Sequence, residues 1–123
     1  MKSFMYLVVL LFSLTATKCP KDIPKEVQSK IEFDFSRLDA NGLHNGERAL
    51  DYEFCIPAEA SKRNEVLATA PNIRFMEKSK GRIGCREGQW LCINSTHDPH
   101  WKEQLYKLAS LSYVERIIET HYE

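Results

Sequence analysis

After Leu14 the chain has no further long apolar run. Crossing a bilayer takes about 20 consecutive apolar residues, so nothing beyond that point is a candidate span, and the stretch Phe4 to Leu14 is itself too short. Neither charge sign is in excess. There are 17 lysines and arginines against 17 aspartates and glutamates, which removes net charge as a reason to expect nucleic acid or an anionic membrane as a partner. Glycine and proline number only five each, and no repeat, low-complexity tract or linker composition interrupts the chain. The G-x-S-x-G, H-E-x-x-H and P-loop patterns are all missing, so no motif of high specificity points to an enzyme, a metal or a cofactor.

What is present begins with an export signature. Met1-Lys2-Ser3 is a short basic lead, Phe4 to Leu14 is apolar apart from Ser13, and Thr15-Ala16-Thr17 supplies small residues for a peptidase. We read residues 1–17 as a signal peptide and residues 18–123 as a single secreted or periplasmic domain. Lys18 precedes Cys19, where a lipid-anchored cysteine would need a small residue, so Cys19 reads as an ordinary cysteine of the mature chain. In an oxidising compartment the four cysteines read as two disulfides. Three connectivities are open. The favoured one joins Cys85 to Cys92 and Cys19 to Cys55.

The apolar periodicity predicts an α+β fold: a small antiparallel sheet of three to five strands packed on an amphipathic C-terminal helix and stapled by disulfides. Leu50, Tyr52, Phe54 and Ile56 alternate with Asp51, Glu53 and Cys55 in the clearest strand. Ile31 to Phe35 alternates in the same way. Residues 58–70 suit a helix that Pro71 stops, and 72–78 suit a strand. Ile83-Gly84-Cys85 and Trp90-Leu91-Cys92-Ile93 read as a hairpin about a Gly88-Gln89 turn, with Cys85 opposite Cys92. Asp98 and Pro99 read as the cap and first residue of a last helix. Its apolar stripe runs through Trp101, Leu105, Leu108, Leu111, Ile118 and Tyr122.

Several groups of residues bear side chains capable of chemistry. Cys85, Cys92, His97 and His100 are spaced too widely for a zinc knuckle. Asp39-Ala40-Asn41-Gly42 starts like a calcium loop, but His44 and Leu50 stand where that loop needs its glycine and its closing glutamate. Asn94-Ser95-Thr96 is a glycosylation sequon. His44, His97, His100 and His121, with Asp51 and Glu53, supply acids and bases but no spacing that brings two of them together. The best local site is the basic cluster Arg74, Lys78, Lys80, Arg82 and Arg86, whose members at 78, 80 and 82 would share one face of a strand. These features favour a non-enzymatic protein that binds another protein or an anionic ligand, such as an inhibitor or immunity-type protein. Two alternatives stand beside it. One is a small hydrolase using His97 or His100 with Asp51 or Glu53. The other is an accessory domain of a cell-surface complex, which would expose a large apolar patch.

Overall fold

The computed structural model describes residues 23–122; residues 1–17 and Cys19 lie outside that range. The elements run α1 (Lys25–Lys30), β1 (Leu43–His44), β2 (Arg48–Ala49), β3 (Asp51–Pro57), α2 (Ala60–Thr69), β4 (Arg74–Met76), β5 (Gln89–Ser95), α3 (Trp101–Ser110) and β6 (Ile118–Glu119). Four strands form one antiparallel sheet in the order β4-β5-β3-β6, and β1 and β2 make a separate small hairpin. The fold is α+β, as the periodicity implied.

β3 is the spine of the sheet because its sequence suits a strand buried on both faces. Its register with β5 runs from Asp51 opposite Ser95 to Pro57 opposite Gln89. Side chains alternate across a strand. Tyr52, Phe54 and Ile56 therefore point together to one face, where they are fully buried among Val66 of α2 and Trp101, Leu105 and Leu108 of α3. Asp51, Glu53 and Cys55 point to the other face. That face is also covered, by the chain between β4 and β5.

The last helix is shorter than the stripe suggested. Trp101, Leu105 and Leu108 are buried as expected, joined by Ala109, but α3 ends at Ser110 and Leu111 is already extended. Serines flank Leu111, and the Ser110 hydroxyl donates to the Lys107 carbonyl at 2.7 Å; such local bonding competes with helix continuation. Beyond it the β-branched Val114 and Ile117 are the buried residues. Ile118 pairs with Glu53 across β6 and β3, and Tyr122 is 68% exposed. At the other end the helix starts two residues later than expected: Trp101 is its first residue and His100, without a side-chain cap bond, stands at the N-cap in place of Asp98, while Asp98 holds the turn that leads in. Its Oδ1 accepts from the His100 N–H at 2.7 Å, and its carbonyl accepts from the Trp101 N–H at 3.0 Å.

The expected strand at 31–35 is also corrected. Ile31 makes a single parallel bridge to Ile117. The alternation there is real, since Ile31 is buried and Phe33 and Phe35 are half-buried. It serves aromatic packing instead, with Phe33 near Tyr52 and Phe35 near Trp101 and Tyr106. The calcium-like segment is a turn in which Asp39 Oδ1 accepts from the N–H groups of Asn41 and Leu43.

The hairpin joining residues 83–85 to β5 does not form. The turn lies one residue earlier than expected: the Gln89 N–H donates to the Arg86 carbonyl at 3.0 Å, with Gly88 at φ +82° in the third position. Glycine is the residue that takes this angle without strain. The disulfide pairing changes with it. Cys55 bonds Cys85, with 5.6 Å between their Cα atoms, which excludes both Cys85–Cys92 and Cys19–Cys55. The reason is parity. Cys92 stands opposite Phe54 and Leu91 stands opposite Cys55, so Cys92 faces the helices while Cys55 faces the covering chain. Cys92 is a fully buried free thiol, and burial raises its pKa to about 12, against a smaller opposing pull from Arg63.

Candidate functional site

The chain covering the second face is the connection 77–88 between β4 and β5. It forms no strand and no helix, yet it is tethered at several points. Cys85, Leu91 and Ile93 make a small second core, with Cys55 and Ile83 packed against it. The Lys80 carbonyl accepts from the N–H groups of Gly84 and Cys85, at 3.1 and 2.8 Å. Glu53, only 2% exposed on the middle of β3, accepts from the Ile83 N–H at 3.2 Å. Gly81 lies so close to β3 and β5 that a Cβ there would fall 2.3 Å from Glu53 Oε2 and 2.8 Å from a Leu91 methyl, at φ +61°. Only glycine fits such an approach.

This anchoring carries a testable cost. Glu53→Ala leaves the part-buried Ile83 N–H without its acceptor, a loss of about 1 kcal/mol or somewhat more. Urea denaturation is expected to show a drop in that range, with a smaller drop for Glu53→Gln, which keeps an acceptor oxygen. Equal stability of Glu53→Ala and the parent would mean that the tether is not made.

The basic residues singled out in the sequence divide into two groups. Arg74 belongs to β4, where it bonds Asp51 at 3.2 Å and the Tyr122 hydroxyl at 3.0 Å; that hydroxyl donates to Asp51 at 2.6 Å. Arg74 thus helps hold the C-terminal chain to the sheet. Lys78, Lys80, Arg82 and Arg86 are exposed on the connection. They lie on consecutive turns, so the face shared by 78, 80 and 82 is not that of a strand. Lys78, Lys80 and Arg86 line one open depression of about 370 Å³ with Glu77 and Glu87. Arg86 pairs with Glu115 at 3.2 Å, and Glu77 pairs with Arg63 at 3.1 Å. Neither Lys78 nor Lys80 makes an ion pair or hydrogen bond through its ammonium among the described residues.

The candidate acids and bases are dispersed. Asp51 is engaged with Arg74 and Tyr122, and Glu53 is sealed beneath the connection. His97 lines a small cavity of about 70 Å³ beside Arg74, Asp98 and Gln104. His100 lies 3.9 Å from Glu103 on the exposed side of α3. No hydrogen bond or ion pair joins either histidine to Asp51 or Glu53 among the described residues. Nor does any group of three or more His, Cys, Asp or Glu side chains among the described residues stand where it could hold a metal ion, and Cys85 is committed to its disulfide. The sequon asparagine is 4% exposed; its Nδ2 donates to Tyr52 Oη at 2.8 Å and to Gln104 Oε1 at 3.3 Å. The folded domain therefore withholds the nitrogen that a glycan would need. The large apolar side chains left exposed among the described residues are Met76 and Tyr122, and no helix there is long and apolar enough to cross a membrane.

Sequence reasoning missed Glu53 and Gly81 as the tethers of this surface. Alternation places Glu53 on the polar face of β3, and nothing local announces that a distant segment covers it. No protein-family model, curated protein or solved structure matches the chain.

Proposed function

We propose that the protein is a small exported binding protein, of the inhibitor or immunity type, which docks an acidic surface of another protein through its 77–88 connection. One observation carries this reading: an irregular segment bearing exposed cations is clasped to the central strand by Cys55–Cys85. Ordering a binding loop in advance removes part of the entropy cost of association. Lys78 and Lys80, whose ammonium groups make no ion pair among the described residues, add steering and selectivity toward an acidic target. Export is supported by the basic, apolar and small-residue order of 1–17 and by the disulfide, which persists in oxidising compartments.

Of the basic cluster, the reading rests on Lys78 and Lys80, since Arg74 and Arg86 are engaged within the fold. Immobilised oxidised protein is expected to retain one protein from envelope or culture fractions at near-equal stoichiometry, and to release it in high salt. The double variant Lys78→Glu with Lys80→Glu is expected to bind that protein at least tenfold more weakly with an unchanged melting temperature. Retention of full affinity by the variant would remove the connection as the docking surface.

A further inference from the structure

The sheet has two edges, and the β6 edge is the more covered of the two. On that side Ile117, just before β6, is hydrogen-bonded to the end of α1 and the residues after it: its N–H donates to the Lys30 carbonyl at 2.7 Å, and its carbonyl accepts from the Glu32 N–H at 2.9 Å, which leaves only Glu119 outward on a two-residue strand. On the other side β4 pairs with β5 alone.

Which backbone groups of β4 face outward follows from the alternation of an antiparallel ladder. The Thr96 N–H donates to the Leu50 carbonyl, and the Ala58 N–H donates to the Gly88 carbonyl. These bonds fix the parity of the β3–β5 ladder, so Cys92, opposite Phe54, directs its backbone groups to β3. Leu91 and Ile93 then direct theirs to β4, where they stand opposite Met76 and Arg74. Phe75, between those two, presents its N–H and C=O away from the sheet. Neither group has a hydrogen-bond partner among the described residues.

An open groove of about 470 Å³ runs beside this edge, lined by Phe75, Met76, Glu77, Lys78 and Ser79. Met76 is 45% exposed there. Glu77, the one acid in the groove, is held by Arg63 on α2. Lys78 and Lys80 follow directly in the chain and line the adjoining depression.

We infer that the partner contributes an extended acidic segment that adds to the sheet along β4, bonding the outward N–H and C=O of Phe75 and directing carboxylates to Lys78 and Lys80. This inference rests on the binding reading above and specifies the form of its partner. Short edges bearing lysine generally discourage strand pairing. An acidic strand is the occupant those lysines attract, while a neutral or basic one gains nothing from them. In this mode the backbone bonds supply affinity, and pockets for alternate side chains supply selectivity. The exposed Met76 is placed to receive an apolar side chain between two carboxylates.

The test uses purified, oxidised, ¹⁵N-labelled protein and two capped synthetic peptides, one alternating Glu with Val and the other alternating Lys with Val. At saturating Glu-Val peptide the solvent exchange of the Phe75 amide is expected to slow at least tenfold. The Lys-Val peptide should give no slowing, and high salt should reverse the effect. Strand addition at β4 is overturned if the Glu-Val peptide does not bind. It is also overturned if that peptide shifts Lys78 and Lys80 resonances while the Phe75 amide still exchanges freely, or if protection appears at Glu119 instead. In the second case docking through the basic connection stands and only strand addition fails. If the Lys78→Glu, Lys80→Glu variant keeps its natural partner, docking through the connection fails whatever the peptides do.

Discussion

Replacing Cys55 and Cys85 together by serine is expected to cost about 3.5 kcal/mol, the loop-closure entropy of a link between residues 30 apart. In a domain of this size that lowers the melting temperature by more than about 10 °C. The cost reaches beyond the crosslink itself. Once freed, the connection no longer has to cover Leu91, Ile93 and Glu53, and the second core is open to water. Thermal unfolding with and without reductant measures this directly on the unaltered protein. Reduction should reproduce the serine variant, and an unchanged midpoint would show that the bond contributes nothing to the fold. The same treatment should weaken partner binding if the clasp is what pre-orders the contact surface.

The second large effect separates the two ends of the expected C-terminal stripe. Leu108→Ala is expected to cost about 2–5 kcal/mol, because Leu108 is completely buried under the sheet and its removal leaves a cavity. Ile118→Ala is expected to cost about 1 kcal/mol, since Ile118 is half-buried on a two-residue strand at the sheet margin. A helix continuing to Tyr122 would make the two substitutions comparable. Chemical denaturation of the pair, read at unchanged m-value, distinguishes the two arrangements.

These contrasts show how far the sequence was legible. Strong local patterns were sufficient for β3, α2 and the first half of α3, where alternation or helical period runs through residues that pack on one face. The pattern failed where an apolar residue had a use other than continuing its element. Ile31 to Phe35 alternates like a strand, but its aromatic rings pack on Tyr52 and Trp101 with no ladder beside them. The helical stripe continued through Ile118 and Tyr122 by coincidence of spacing. The bonding of Ser110 to the Lys107 carbonyl and the β-branched residues Val114, Ile117 and Ile118 decide against it.

The disulfide was misread for a different reason. Cys85 and Cys92 are near in sequence, but a strand sends neighbouring residues to opposite faces, and Cys92 falls on the wrong one. Its partner choice depended on knowing that residues 77–88 fold back across β3, a non-local fact. The basic cluster was visible as composition only. The division between Arg74 and Arg86, each held in an ion pair, and Lys78 and Lys80, which project from the clasped connection, comes from the tertiary arrangement.

Disulfide mapping of the unreduced protein tests the clasp most directly. Trypsin cuts after Arg82 and Arg86 and so separates Cys85 from Cys92. Mass spectrometry of the digest should find peptide 83–86 linked to 49–62, with 87–102 carrying a free thiol that is alkylated only after unfolding. Peptide 83–86 linked to 87–102 would contradict the clasped connection, and with it the surface on which the proposed function rests.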